Sequence, residues 1–315
     1  MKLALLTEQY ITFKQSLGYR FEADGRILRA FEKAQGPRNM ELVQPAKVRT
    51  FLQGSGPLTS FSSRKLVTLR GFYQFALARG YVERSPLPSQ WPQPAQTFVP
   101  YIYSTAELQR LWGFLEKELP AQSAFSVGTF RTVLFLLYGA GLRVSEALHL
   151  TLGDVDLSEH ILTIHESKFF KTRLVPLSDD LTGVLQQYAR KERPRQGGGA
   201  DGLAPFLVTR QGQGVSRQGV ERAFRRLCGL ALVRRPATDR FQPRLHDLRH
   251  AFATHRLERW YRQGADVQRL LPQLATYLGH RNLAATQRYL SLTPALLQAA
   301  SARFAQYALK GEDHE

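Results

Sequence analysis

From residue 1 to about residue 88 the apolar side chains recur at intervals near three and four: Leu5, Tyr10, Phe13 and Leu17, then Ile27, Leu28 and Phe31, then Val48, Phe51 and Leu52. That spacing predicts amphipathic helices, each with one face to bury. Gly36-Pro37 and the stretch Gly54 to Pro57 separate them, as residues that end helices do. The last predicted helix, from about Ser60 to Arg79, sets the stripe Leu66, Leu69, Phe72, Phe75 and Ala76 against the cations Arg64, Lys65, Arg70 and Arg79. Between Ser85 and Pro100 the prolines Pro86, Pro88, Pro92, Pro94 and Pro100 prevent a continuous helix and favour extended backbone. Residues 1–88 therefore read as one helical unit, 89–103 as a linker and 104–315 as a second unit.

In the second unit Ser104 or Thr105, with Glu107 in the first turn, predicts a helix start. Phe130 to Tyr138 is strongly apolar and predicts a buried helix leading into Gly139-Ala140-Gly141, where glycine permits a tight turn and close backbone approach. Ile161 to His165 and Thr172 to Leu177 predict two short strands joined by a hairpin at Ser167 to Lys171, with Lys168 on or beside the turn. Arg193 to Pro205, with Gly197-Gly198-Gly199, reads as a surface loop, and Pro205 to Val208 as a short buried segment. Ser216 to Leu232 predicts an amphipathic helix that buries Val220, Phe224, Leu227 and Cys228. Its opposite face carries Arg217, Arg222, Arg225 and Arg226, suited either to phosphates or to solvent. Leu296, Leu297, Ala300, Phe304 and Leu309 form an apolar stripe on a predicted terminal helix. The fold class that follows is mainly α, two helical domains, with a small antiparallel sheet in the second.

Composition adds a partner. The 315 residues are 43% hydrophobic, enough for packed cores, and carry a net charge of +17. Residues 1–90 hold 14 Lys/Arg against 6 Asp/Glu and the remainder 29 against 20, so both units favour a polyanion. Such a surface gains affinity for nucleic acid by counterion release. The single cysteine, Cys228, provides neither an internal disulfide nor a thiolate metal site and suits a reducing cytosol. With no apolar run near 18 residues and no signal-peptide pattern, the expectation is a cytoplasmic protein with no membrane partner.

The reactive residues gather late in the chain. His246-Asp247-Leu248-Arg249-His250, Leu278-Gly279-His280 and Arg288-Tyr289-Leu290 bring together imidazoles, a guanidinium and a phenol, and Gly139 to Glu146 adds Arg143 upstream. Guanidinium groups match phosphodiester oxygens bidentately and imidazole moves protons near neutrality, so the set suits attack of Tyr289 on phosphorus. His246 and His250 share the spacing of the H-E-x-x-H zinc motif, but Asp247 stands where that motif has Glu and Arg249 would repel a cation. His250 and His255 read as packing or phosphate-contact residues. No metal and no cofactor is expected, and no G-x-x-x-x-G-K-[ST] nucleotide loop occurs.

The ordered set G-x-G-L-R-x-S-E, a hairpin lysine, H-x-L-R-H, L-G-H and a tyrosine nine residues on resembles the tyrosine recombinase (phage integrase) family over most of the chain. The resemblance implies a core-binding domain in residues 1–88, a catalytic domain in 104–315, and Tyr289 as the nucleophile. It makes Arg143 and Arg249, with His280, the phosphate clamp, His246 the base and Lys168 the acid. The K-x-x-K-x-R-x-V-P spacing aligns Lys168, although Phe169 and Phe170 replace the usual glycine-rich turn and leave Lys171 as the alternative. Arg64, Lys65, Arg70, Arg217 and Arg222 become candidate contacts to double-stranded DNA. The implied activity is site-specific recombination by a tetramer on two DNA sites, with a terminal segment docking on a neighbouring protomer and accessory proteins as further partners. A type IB topoisomerase-like activity and a catalytically silent DNA-binding accessory protein are the alternatives.

Overall fold

The computed structural model describes residues 1–92, 99–118, 123–167, 171–193, 202–239, 241–280 and 282–291. The chain divides into two compact units, Met1–Thr97 and Phe98–Glu315.

Among its described residues the first unit has four α-helices: α1 (Leu3–Ser16), α2 (Glu22–Gln35), α3 (Pro45–Gln53) and α4 (Ser60–Ala78). Pro45 opens α3, where its missing N–H costs nothing, and glycines at 36 and 54 with positive φ close α2 and α3. The buried face of α1 is Leu3, Leu6, Tyr10 and Ile11, each at most 3% exposed, whereas Leu5 and Leu17 are each 54% exposed. This corrects the expected stripe: Leu3, Leu6 and Tyr10 already keep the three-and-four spacing, and Leu5 stands roughly 200° round the helix from Leu3. Leu28 and Phe31 of α2, Val48 and Leu52 of α3, and Leu66, Leu69, Phe72 and Tyr73 of α4 complete this core.

The second unit begins with α5 (Thr105–Glu118), whose N-cap is Ser104: its hydroxyl accepts from the Glu107 amide while Glu107 accepts from the Ser104 amide. Helix α6 (Val127–Gly139) is central, with Phe130, Val133, Leu134, Leu136 and Leu137 all at most 1% exposed. Its less buried stripe, Val127, Arg131, Phe135 and Tyr138, carries one charge, Arg131, which pairs with Glu192. The short α7 (Val144–Leu148) follows, then an antiparallel sheet of β1 (Val155–Asp156), β2 (Ile161–Ser167) and β3 (Lys171–Pro176) in sequential order. Leu162 faces Val175 across β2 and β3, and both side chains are buried, while Leu174, opposite Thr163, is exposed.

Helices α8 (Asp179–Gln187), α9 (Arg217–Leu230), α10 (Asp247–Arg262), α11 (Val267–Leu278) and α12 (Ala284–Gln287) follow among the described residues, with a 3-10 turn at Arg288–Ser291. Val220, Phe224, Leu227 and Cys228 of α9 are buried in the main core. Phe252, Leu257, Val267, Leu271, Leu274, Leu278 and Tyr289 form a separate cluster that seats the 3-10 turn on α10 and α11. The predicted glycine-rich loop at 197–199 and the predicted terminal helix through Leu296, Leu297, Ala300, Phe304 and Leu309 lie outside the described residues.

Candidate active site

Three arginines from three different elements converge on the C-terminal end of α11. A helix end leaves its last carbonyls without intrahelical partners and carries partial negative charge, so it attracts cations. Here three consecutive carbonyls are each satisfied by a guanidinium: Arg173 Nε donates to Tyr277 O at 3.0 Å, Arg249 Nη2 to Leu278 O at 2.6 Å, and Arg143 Nη2 to Gly279 O at 2.7 Å. Arg249 also donates to Gly141 O at 2.7 Å. Both glycine turns of the sequence motifs are thus acceptors for the clamp. Gly141 (φ +59°) and Gly279 (φ +64°) adopt the left-handed conformation, and a Cβ on either would meet Phe252 at 2.5 Å or Arg173 at 2.9 Å.

Glu146 gathers the same three cations. Its carboxylate accepts from Arg173 Nη1 and Nη2 at 3.0 and 2.8 Å, from the Arg143 guanidinium and amide, and lies 3.7 Å from Arg249 Nη1. Burial alone would raise its pKa, but the hydrogen bonds and charges of Arg173 and Arg143 prevail and hold it at about 2. Arg249 is only 2% exposed, and burial together with the Arg143 charge pulls it down to about 10, against the opposing pull of Glu146. The cluster therefore sets three guanidinium charges against one carboxylate, a net excess of positive charge that favours a phosphodiester anion.

Tyr289, 3% exposed, lies over this cluster. Its hydroxyl is 3.2 Å from His250 Nδ1, and its ring stacks near His280 with centroids 6.0 Å apart. Burial raises its pKa, and the charges of Arg249, Arg143 and Arg288 work in the opposite direction. His280 follows the left-handed cap Gly279, its amide closing back on Ala275 O, and its Nδ1 is 2.7 Å from the hydroxyl of the fully buried Thr286. His246 caps the N-terminus of α10 and meets the His250 ring edge-on at 5.1 Å. Burial lowers all three imidazoles to about 4, with neighbouring positive groups adding to it, so each is neutral at physiological pH. A second phenol nearby, Tyr277 on α11, instead hydrogen-bonds Pro176 O at 3.3 Å and stacks on Phe252.

The structure thus brings Arg143, Arg249, His246, His280 and Tyr289 into one site. Lys168 lies outside the described residues, and Lys171 opens β3 with its backbone paired to Ser167. Three features of the site escaped the sequence reading, namely Arg173, Thr286 and Glu146 as the hub of the arginines, while His250, expected to be a packing or phosphate-contact residue, lies against the Tyr289 hydroxyl. Arg173 was visible only inside the K-x-x-K-x-R spacing, and no pattern in the sequence pairs it with Glu146, 27 positions away.

The candidate DNA contacts lie elsewhere. In the first unit Arg64 is paired with Asp24 at 3.0 Å, and Lys65 donates to Phe51 O at 2.7 Å beneath the rings of Phe51 and Phe61. Arg70 is exposed. In the second unit Arg217 pairs with Glu221 at 2.7 Å one helical turn on, and Arg222 is exposed. Among the described residues no group of three His, Cys, Asp or Glu side chains is placed to hold a metal ion, and no helix is long and apolar enough to cross a membrane.

Known proteins share this sequence and fold. Residues 104–295 match the model of the phage integrase family. A putative integrase/recombinase, y4rB, of Sinorhizobium fredii is 34% identical over 301 residues, covering 94% of this chain and 95% of that protein. The tyrosine recombinase XerC of Chlorobaculum tepidum is 32% identical over 272 residues, covering 80% and 76%. Among solved structures, the Tn1549 transposon integrase in complex with a circular intermediate DNA superposes with a TM-score of 0.71 at 17% identity, covering 96% of this chain and 99% of that one. A lambda integrase dimer bound to a core site gives 0.63 at 17% identity, covering 93% and 97%. With the family model spanning most of the chain and full-length relatives above 30% identity, this protein belongs to the phage integrase family, the tyrosine recombinases.

Proposed function

We propose that the protein is a site-specific DNA recombinase that cuts and rejoins DNA through a covalent 3′-phosphotyrosyl intermediate. The observation that carries the reading is the cradle of Arg143, Arg173 and the buried Arg249 at the end of α11, with the Tyr289 hydroxyl and three neutral imidazoles beside it. Tyr289 attacks phosphorus. Arg143 and Arg249, with His280, stabilise charge on the nonbridging oxygens, and loss of one such preorganised donor costs on the order of 3 kcal/mol, or a hundredfold or more in rate. The phenol proton goes to an imidazole of the site, with His246 the base that the family resemblance assigns, and Lys168 protonates the leaving 5′-oxygen. The phosphotyrosyl bond conserves the energy of the phosphodiester, so a 5′-hydroxyl of the partner duplex reseals the strand without ATP.

The partner is double-stranded DNA. Its support is the +17 charge and the DNA complexes of the structurally similar Tn1549 and lambda integrases. Arg70 and Arg222 are the exposed candidates for phosphate contact, and Arg64, Lys65 and Arg217 must first leave internal partners. Four protomers acting on two sites in the cytoplasm, aided by accessory proteins, complete the reading, with residues 1–88 gripping the duplex and 104–315 performing the chemistry.

The test is incubation with nicked duplexes tiled over the DNA flanking its own gene, without metal or ATP, followed by denaturing gels. A protein-DNA band absent from Tyr289→Phe is expected. Salt-sensitive binding with no band on any duplex would instead favour the DNA-binding accessory protein, and relaxation of supercoils without strand exchange the topoisomerase-like activity.

A further inference from the structure

The geometry points to His250, the residue after the second clamp arginine, as the group that orients the Tyr289 hydroxyl and takes its proton. This deepens the recombinase reading and rests on it. His250 Nδ1 is the imidazole nitrogen at hydrogen-bond distance from the phenol, 3.2 Å, with ring centroids 5.5 Å apart. His246 lies one helical turn back on the same face and supports the His250 ring edge-on at 5.1 Å. A phenol can only donate to an unprotonated nitrogen, so the tautomer that serves has its proton on Nε2 and Nδ1 free. The groups facing His250 favour that state: Arg244 before α10, Arg249 and His246 on α10, His280 after α11 and Arg288 on the 3-10 turn are cationic or neutral. Burial and the three arginines hold the imidazole at about 4, unprotonated at neutral pH.

In the reaction the Oη–H bond breaks toward Nδ1 as Oη bonds to phosphorus. The P–O5′ bond breaks, and the leaving oxygen takes its proton from the acid assigned to Lys168. In resealing, the 5′-hydroxyl returns that proton to the acid while His250 protonates the departing tyrosine oxygen. No atom or electron is left over. The charge that develops on the nonbridging oxygens in the transition state lies against Arg143 and Arg249, and the imidazolium is created beside the phosphodiester anion.

The experiment compares the full chain with His250→Asn, His250→Gln and His250→Leu. Asparagine can place a carbonyl oxygen near the Nδ1 position, whereas glutamine reaches the Nε2 position. Single-turnover formation of the covalent band should fall about a hundredfold or more in the Leu and Gln variants and less than about tenfold in the Asn variant, with DNA affinity within threefold throughout. The acidic limb of the wild-type pH profile should vanish in the Asn variant, because an amide does not titrate. A Leu variant cleaving within threefold of wild type, or an Asn variant as slow as Leu while folded and bound to DNA, overturns the proposal.

A second readout needs no cleavage. With 3-fluorotyrosine at position 289 in the DNA-free protein, the fluorine resonance should shift in His250→Leu and stay near wild type in His250→Asn. No difference between wild type and Leu refutes the contact whether or not a covalent band is found. A wild-type protein that shows the shift but never forms the band keeps the contact and instead defeats the recombinase reading.

Discussion

Replacing Glu146 with Gln removes the one carboxylate that three guanidiniums share while keeping its volume. The side chain is 6% exposed, and its pKa is held at about 2 against an ordinary 4.5. A displacement of that size corresponds to about 3 kcal/mol of preferential stabilisation of the charged carboxylate in the folded state. Breaking a buried pair from one side costs ~3–5 kcal/mol by the general record of such changes. The Gln amide N–H groups would also face guanidinium donors, so little of the lost hydrogen bonding returns. For a unit of this size the expected fall in Tm is roughly 6–20 °C. Thermal unfolding followed by tryptophan fluorescence in a Trp91→Phe background isolates the second unit, because Trp112 and Trp260 are then the remaining reporters. DNA should rescue the variant more than it stabilises wild type, since a bound phosphate supplies the missing anion to Arg143 and Arg249. A Tm within about 2 °C of the parent, or an equal DNA-induced rise in both proteins, would show that the arginine cradle does not depend on Glu146.

Other consequences are equally direct. Gly279→Ala places a Cβ at φ +64° and 2.9 Å from Arg173, so it should cost on the order of 1–2 kcal/mol and slow cleavage. Gly141→Ala, with the Phe252 ring 2.5 Å away, should cost more, and chemical denaturation ranks the two. His246, His250 and His280 are depressed to about 4 from an ordinary 6.5, so the unfolded chain binds more protons between those values. Their contribution is complete above pH 6.5 and lost as pH falls toward 4. The urea midpoint should therefore drop from pH 7 to pH 5, and an unchanged midpoint would contradict the burial of neutral imidazoles. Lys168→Ala should regain cleavage on a substrate whose 5′-bridging oxygen is replaced by sulfur, which leaves without an acid. Equal rescue of Lys171→Ala alone would move the role to Lys171.

Much of this site could be read from the order of residues, because its parts are short local motifs: glycine turns, an arginine two residues after one, an imidazole directly after another. The strongly apolar α6 and the buried face of α9 were legible for the same reason, each being a property of one helix. What could not be read depends on long-range placement. Arg173 meets Glu146 and Tyr277 O only because β3 lies beside the end of α11. Thr286 becomes the partner of His280 through the turn into α12, and His250 becomes the partner of Tyr289, 39 positions later, through the 3-10 turn. The stripe on α1 misled because two registers of leucines satisfy helical spacing, and only the neighbouring helices decide which one is buried. Arg64 and Lys65 read as a free basic face, yet Asp24 and the ring and carbonyl of Phe51 occupy them, contacts that spacing along α4 does not reveal.

The central claim is that Tyr289 becomes joined to DNA. The most direct measurement is to trap the covalent complex on nicked duplexes, digest both components and locate the nucleotide-bearing residue by mass spectrometry. The account predicts a single modified site, Tyr289, carrying a 3′-linked nucleotide, formed with chelator present and lost in Tyr289→Phe. A nucleotide on Tyr277 or any other residue, or a complex that persists in Tyr289→Phe, would contradict it.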